Sequence, residues 1–320
     1  MMKSTSQLNS VDSADFQFWL PPEGMTLTIG PDSPDLDVPQ IPLPIRTADL
    51  TVGQQPSEKA IGDGLYEYLC RFPACDHAAD YARILEQAYP FLISDIGSQL
   101  ILLDVKAVDA DGLQRKIALL KILHYLDPDN FGPLHKIGVG YFDLAHNYGE
   151  LLHVQMYLRD ARSWLEKARR SKPTDTANLN YLGQVCYLAG NYNQAKLYWK
   201  IAADQLEEGS SREELAQRVE RIVAGQLPIE PLVENLEAVG VALEHFAVEE
   251  FSQACNIMED LAGNSSIAVE LPSTDFFYFL GLCREKCQNL PGAKDAFARA
   301  LTIDPEHEPS LDAQKRLATH

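Results

Sequence analysis

Residues 177–207 read ANLNYLGQVCYLAGNYNQAKLYWKIAADQLE, and their spacing recurs near the end of the chain. Both stretches have a glycine followed by a small residue, a large aromatic and a second small residue, at offsets of 12, 16 and 19. The two sets are Gly183, Ala195, Trp199 and Ala202, and Gly281, Ala293, Phe297 and Ala300. Small residues let two helix backbones approach closely, and the aromatic side chain fills the space beside them. The spacing therefore predicts pairs of antiparallel helices.

This pattern resembles the tetratricopeptide repeat, which runs apolar-x-x-Leu-Gly, then Ala-x-x-x-aromatic, then proline. The pairs Leu182-Gly183 and Leu280-Gly281 fit it, and Pro305 stands where the second pattern should end. The resemblance implies an all-α fold, an α-solenoid of antiparallel helix pairs that stack into a superhelix. It also implies a non-catalytic protein-binding scaffold, and it does not identify the partner.

Weaker copies of the pattern extend the array to about five repeats over residues 60–320. A degenerate first repeat covers about 90–128, and Ala242, with its partners in 236–263, marks a fourth. The second repeat starts at Leu134, but its second-helix residues lie eleven positions late. We expect longer helices or an extra turn between His146 and Tyr157, because eleven residues are about three helical turns.

Two further helices are predicted outside the repeats. Ser211 to Glu214 has the form of a capping box, which predicts an additional helix over about 211–224. Leu311 and Leu317 lie in a last helix that would cap the end of the array.

Residues 1–59 form an acidic segment that contains eight of the nineteen prolines. Such a composition buries little apolar surface, so most of this segment is predicted to be disordered. Residues 16–29 are the exception and predict a short hairpin of two alternating strands. This motif is expected either to occupy the protein's own groove or to bind a partner, with a plain solubilising tail as the remaining alternative.

The composition excludes several classes of protein. A formal charge of −19 argues against nucleic-acid binding and favours a basic or neutral partner surface. No apolar stretch reaches membrane-spanning length, since residues 90–105 are interrupted by Asp95 and Asp104. A cytoplasmic location is expected. The six cysteines are too sparse for a disulfide framework and are interpreted as reduced thiols.

No catalytic motif is present, and neither a cofactor nor a metal is predicted. Gly138-Val139-Gly140 lacks the third glycine of a phosphate-binding loop. Cys283 and Cys287 are four residues apart, but a structural zinc site needs four ligands, so they are interpreted as small packing residues.

The tetratricopeptide resemblance also implies which residues line the concave groove. By register from the glycines, these are His135, Val139, Phe142, Asn180, Gln184, Tyr187, Val239, Leu243, Phe246, Tyr278 and Leu282. The set lacks the lysine and asparagine clamp that the family uses for a peptide C-terminus. Its apolar and aromatic character suits an amphipathic helix or an extended apolar peptide. The alternative is that these side chains pack against the next repeat or the inserted helix.

A basic cluster, residues 159–172, contrasts with the acidic background. It is interpreted as the positive end of a helix, with an anionic docking patch as the alternative.

The leading hypothesis for function is therefore a scaffold or adaptor that captures an apolar segment of a partner protein. A cytoplasmic chaperone for secreted or membrane-complex proteins is the second hypothesis. A regulatory subunit or an enzyme with an unrecognised site is the third. The oligomeric state stays open.

Overall fold

A computed structural model describes residues 15–28, 35–50, 54–105 and 109–318. The disorder predicted for residues 1–14 and 29–34 lies outside these residues. Contacts between Cα atoms divide the chain into two compact units. Unit 1 is Met1–Gly140 with Arg170–Lys172, and unit 2 is Tyr141–Arg169 with Pro173–His320. The described part of the chain is all-α apart from four short strands, as the repeat pattern predicts.

Unit 1 begins with the four strands, continues with four helices and takes in the first part of a fifth. The elements are β1 (Phe16–Trp19), β2 (Thr26–Leu27), β3 (Leu36–Asp37), β4 (Leu43–Arg46), α1 (Glu58–Arg71), α2 (Ala78–Ala88), α3 (Pro90–Val105), α4 (Ala110–Leu126) and α5 (Phe131–Ala145). A 3-10 turn, Thr47–Asp49, follows β4. The helices α3 and α4 pack together over the range of the degenerate first repeat.

The hairpin predicted for residues 16–29 is wrong in its pairing. β1 pairs antiparallel with β4, so Phe16 lies opposite Arg46 and Trp19 opposite Leu43. β2 pairs instead with β3. The physical reason is burial: β4 carries Leu43 and Ile45, which are both fully buried, and β1 gains more by pairing beside them than by folding back on the short β2.

The pair formed by β1 and β4 packs on α1. Gly64 of α1 is buried against β4, and a β-carbon there would collide with the carbonyl oxygen of Pro44. At the end of β4, the Arg46 guanidinium binds Asp63 at 3.2 Å and Glu67 at 2.9 Å. Residues on both sides of the predicted boundary at position 59 thus belong to one packed unit. The strand β1, expected to occupy a groove or bind a partner, is instead paired with β4 beside α1.

Unit 2 contains the end of α5 and ten further helices. They are α6 (Val154–Ser171, whose last two residues belong to unit 1), α7 (Thr176–Leu188), α8 (Tyr192–Gln205), α9 (Ser210–Val223), α10 (Leu232–Ala247), α11 (Phe251–Asn264), α12 (Ile267–Glu270), α13 (Thr274–Lys286), α14 (Leu290–Ile303) and α15 (Glu308–Ala318). Successive helices pack against one another, α7 on α8, α10 on α11 and α13 on α14. This is the packing of an α-solenoid, as predicted.

The glycine–aromatic contacts occur where the spacing predicts them. A β-carbon at Gly183 would lie 2.5 Å from Cδ1 of Trp199, and one at Gly281 would lie 2.5 Å from Cε1 of Phe297. Both aromatic side chains are buried. In the fourth repeat, Ala254 and Met258 are likewise buried on α11. The repeat register read from the sequence is therefore confirmed.

Several connections depart from a plain array. The extra turn expected between His146 and Tyr157 is the 3-10 segment Tyr148–His153. The inserted helix is α9, but its N-cap is Gly209 and no side chain caps it. The predicted capping box is therefore wrong, because Ser211 already lies inside the helix. The last helix, α15, buries Leu317 with Ala293 and Phe297 as a cap.

Candidate functional site

In the third repeat, the predicted groove residues are engaged inside the protein. The Tyr187 ring contacts Tyr192 and Trp199, with centroids 5.3 and 5.5 Å apart. Its hydroxyl donates to Glu270 of α12 at 3.0 Å, and burial raises the pKa of Tyr187 above its ordinary value. The Trp199 indole N–H donates to Asn180 Oδ1 at 3.1 Å. Gln184 is half-buried. These contacts favour packing over a free groove wall.

The fourth repeat shows the same tendency more strongly. Val239 has no exposed surface, so its assignment to an open groove is wrong. Leu243 is half-buried. Phe246 meets Phe251 and Phe279 edge-on at centroid distances of 5.0 and 5.4 Å. The side chain of Phe246 thus fills the space between α10, α11 and α13.

The groove positions of the fifth repeat lie beneath α15. Tyr278 and Leu282 pack against the cluster that contains Phe297 and Leu317. The Tyr278 ring also meets His307 at 5.3 Å. The cap therefore covers the positions that a further repeat would cover in a longer array.

The second-repeat positions are divided between the two units. His135 and Val139 belong to unit 1, where both are half-buried and the His135 ring stacks on Phe131 at 5.3 Å. Phe142 belongs to unit 2 and is only 9% exposed, against Tyr181 at 5.3 Å. Its assignment to an open groove is wrong as well. All eleven predicted positions are buried or half-buried.

A different surface, the outer face of α3, is apolar and open to solvent. Its large side chains are exposed by 64% at Phe91, 67% at Ile101, 61% at Leu102 and 82% at Val105. Positions 91, 98, 102 and 105 recur at helical spacing and lie on one side of the helix, beside Ile101. We call Phe91, Ile101, Leu102 and Val105 the α3 stripe.

The inner face of α3 fixes the helix in unit 1. Ile96 and Leu100 are buried. Asp104 binds the ammonium groups of Lys116 and Lys136, each at 2.7 Å, and these contacts lower the pKa of Asp104 despite its partial burial. The stripe is therefore presented by a helix that is anchored from behind.

Two more polar contacts anchor the N-terminal half of α3. Asp95 accepts a hydrogen bond from the Tyr66 hydroxyl at 3.1 Å. Gln99 accepts one from Arg115 at 2.7 Å. Both carboxylates of the helix thus have partners within unit 1.

The periodicity of the sequence does not reveal the α3 stripe. Residues 90–105 are apolar around most of the helix, so periodicity does not separate an inner face from an outer one. Within the described residues, no single helix is long and apolar enough to cross a membrane. Only α2 and α3 taken together meet those criteria, and they are bent by 106° at the break between them.

Several side chains of the basic cluster have partners within the protein. Arg169 binds Glu166 at 2.8 Å, Lys167 lies 3.9 Å from the centre of the Trp164 ring, and Lys172 lies over Phe131. Two other arginines of the cluster on α6, Arg159 and Arg162, line a cavity of about 320 Å³ in unit 2. Glu234 lines the same cavity, so its charge is mixed and does not single out an anionic ligand.

The part of the chain that the structure describes contains no cluster of metal-binding side chains. No group of three or more histidine, cysteine or acidic side chains there can hold an ion. Cys283 is fully buried, and desolvation raises the pKa of its thiol.

Comparison with known proteins gives a likeness of fold. No protein-family model matches the sequence, and no curated protein matches it. A tetratricopeptide repeat protein from Parabacteroides merdae ATCC 43184 is 13% identical, with 82% of this chain and 92% of that chain covered and a TM-score of 0.35. The TPR domain of P58(IPK) is 13% identical, with coverages of 70% and 65% and a TM-score of 0.32.

YrrB, a TPR protein with an unusual peptide-binding site, is 16% identical, with coverages of 79% and 99% and a TM-score of 0.23. The repeat assignment itself rests on the internal contacts of Gly183 with Trp199 and of Gly281 with Phe297. In these contacts the helix pairs of unit 2 resemble tetratricopeptide repeats.

Proposed function

We propose that this protein is a non-catalytic scaffold that binds partner proteins, and that the α3 stripe receives an amphipathic helix of a partner. The observation that carries the proposal is the exposure of four large apolar side chains along one side of an anchored helix. Exposed apolar side chains of this size are costly in water, and such surface is commonly used for protein contacts.

The charge of the chain selects the kind of partner. Asp104 of α3 is paired with Lys116 and Lys136, whereas the partners of Asp95, the Tyr66 hydroxyl and the Gln99 amide, are neutral and do not offset its charge. The chain as a whole carries −19. A second copy of the same chain would bring the same charge and be repelled. A helix with an apolar face and basic flanks is attracted instead.

We place the docking on α3 in preference to the concave groove. The groove positions that remain half-exposed, such as Gln184 and Leu243, are scattered among packed side chains. The stripe offers four large side chains with most of their surface free. The general role, a repeat scaffold for protein contacts, is common to both versions of the proposal.

The test uses a labelled 18-residue peptide of leucine and lysine designed as an amphipathic helix, with fluorescence anisotropy as the readout. We expect Ile101→Asp combined with Leu102→Asp to weaken binding at least about tenfold, because burying one leucine contributes about 1.5–3 kcal/mol and 1.4 kcal/mol is a factor of ten. Both side chains are exposed, so circular dichroism should stay unchanged.

Two controls isolate the stripe. Val269→Asp makes one substitution of the same kind at another exposed apolar residue, in unit 2, and should leave the affinity unchanged. A scrambled peptide of the same composition, without an apolar face, measures attraction to the acidic surface alone. Equal affinity of the original protein and the double variant for the amphipathic peptide would refute docking on α3.

A further inference from the structure

Two cysteines from different helices of unit 2 meet at the packing of the fourth repeat on the fifth. Cys255 lies on α11, and Cys287 caps the C-terminal end of α13. The Cys287 thiol donates to the Phe251 carbonyl oxygen at 3.5 Å. In an α-helix that carbonyl faces the backbone N–H four residues later, which here is Cys255. The Cys287 thiol thus lies beside the turn of α11 that carries Cys255, and its proximity is one of the causes that raise the pKa of the Cys255 thiol.

An ion pair close to the thiols fixes the two helices relative to each other. The Arg284 guanidinium of α13 donates from Nε and Nη2 to the two carboxylate oxygens of Glu259 on α11, each at 2.8 Å. Glu259 is one turn after Cys255, and Arg284 is three residues before Cys287. Such a bidentate pair is geometrically specific, so it limits sliding of one helix along the other.

The exposure of the cysteines distinguishes this pair from its neighbour. Cys255 and Cys287 are half-buried, whereas Cys283, one turn before Cys287, is fully buried. A small oxidant in solvent can therefore reach the first two thiols more readily than Cys283. Among these three cysteines, Cys255 and Cys287 are therefore the pair that lies close together across two helices and is also accessible to solvent.

We propose that Cys255 and Cys287 are an oxidation site, at which a peroxide converts the two thiols into a disulfide. One thiolate attacks a peroxide oxygen, the O–O bond breaks, and the sulfur becomes a sulfenic acid while hydroxide leaves and takes a proton from solvent. The second thiolate attacks that sulfur, the S–S bond forms, and hydroxide leaves and is protonated. The two sulfurs lose two electrons in total, and the peroxide gains them.

The bond would join α11 to the end of α13 and so tie the fourth repeat to the fifth. A cross-link between residues distant in sequence restricts the unfolded chain and stabilises the folded one. Burial raises the pKa of the Cys255 thiol to about 11. The thiolate fraction of Cys255 therefore rises about tenfold per pH unit from pH 7 to pH 9, and formation of the disulfide should accelerate with it.

The experiment treats the full chain, carrying Cys70→Ser and Cys75→Ser, with hydrogen peroxide, and maps its peptides by mass spectrometry without reduction. We expect a linked peptide that contains Cys255 and Cys287 and is lighter by two hydrogens than the sum of the free peptides. The melting temperature should rise by about 5 °C and return after treatment with dithiothreitol.

Two variants complete the test. Cys255→Ser should abolish both the linked peptide and the shift in melting temperature, and Cys255→Ala provides the same comparison if the serine variant folds poorly. Cys186→Ser removes a buried cysteine outside the pair and should change neither result. A link between Cys283 and Cys287, or sulfinic acid at Cys255 or Cys287 without a linked peptide, would overturn the proposal.

Discussion

At the scale of single residues, Gly183 is a position where an added side chain must displace a buried ring. A β-carbon there would lie 2.7 Å from Cε2 of the Trp199 indole, which is buried and donates a hydrogen bond to Asn180. Alanine normally favours a helix over glycine by about 1 kcal/mol. We nevertheless expect Gly183→Ala to lower the free energy of unfolding by about 1–3 kcal/mol, because the indole ring must move.

A denaturant titration followed by circular dichroism measures this change, with Gly263→Ala as the control. Gly263 is also helical and lies in unit 2, but a β-carbon there meets nothing within 4 Å. The control should be neutral or slightly stabilising. Equal midpoints for the two variants would contradict the proposed contact between Gly183 and Trp199.

The sequence predicts a contact between two residues where a fixed spacing encodes it. The sixteen-residue step from Gly183 to Trp199 encodes a single close approach, and the same step encodes another between Gly281 and Phe297. The capping box at Ser211 was not predictable in this way. Its helix starts one residue earlier, after Gly209, because the start of a helix depends on the preceding chain as much as on the motif.

At the scale of elements, the helix α15 determines whether Tyr278 can serve as a groove residue. Tyr278 packs with Leu282 on the cluster that α15 closes. We expect Tyr278→Ser to lower the free energy of unfolding by about 2–3 kcal/mol, somewhat less than truncation of a fully buried aromatic, because its side chain is only half-buried. A thermal melt followed by circular dichroism is the measurement.

Leu197→Ser is the matched control for Tyr278→Ser. Leu197 is a large apolar residue of α8 that is mostly exposed, so its replacement should leave the melt nearly unchanged. If Tyr278→Ser also left the melt unchanged, Tyr278 would contribute little to the packing, and the groove interpretation would regain support.

The sequence predicts which helix positions are equivalent to one another in the groove, but it does not predict whether those positions are exposed. Counting from the glycines identifies equivalent helix positions in each repeat, and that counting holds in unit 2. Exposure depends on what covers a helix: α15 covers Tyr278, and Glu270 of α12 accepts the Tyr187 hydroxyl. These covering elements lie outside the repeat pattern, so the pattern carries no information about them. The α3 stripe was missed for the complementary reason, since its neighbours leave it uncovered.

At the scale of the whole molecule, the N-terminal strands are a structural part of unit 1. Leu43 and Ile45 are fully buried, and the strands meet α1 at Gly64. Full burial of two such side chains contributes about 3–6 kcal/mol, at 1.5–3 kcal/mol each. Deletion of residues 1–56 should therefore destabilise unit 1, although its acidic, proline-rich composition alone suggests a dispensable tail.

The three tryptophans allow the two units to be followed separately. Trp19 is removed by the deletion, and the two that remain, Trp164 and Trp199, both belong to unit 2. In the shortened protein we expect circular dichroism to show helix loss at a lower temperature than in the full chain. Tryptophan emission should melt as it does in the full chain, because unit 2 keeps its packing. Deletion of residues 1–14 alone, which ends before β1, should change neither melt. If circular dichroism also stayed unchanged after deletion of 1–56, the strands would add no stability to α1, and the segment would be a tail after all.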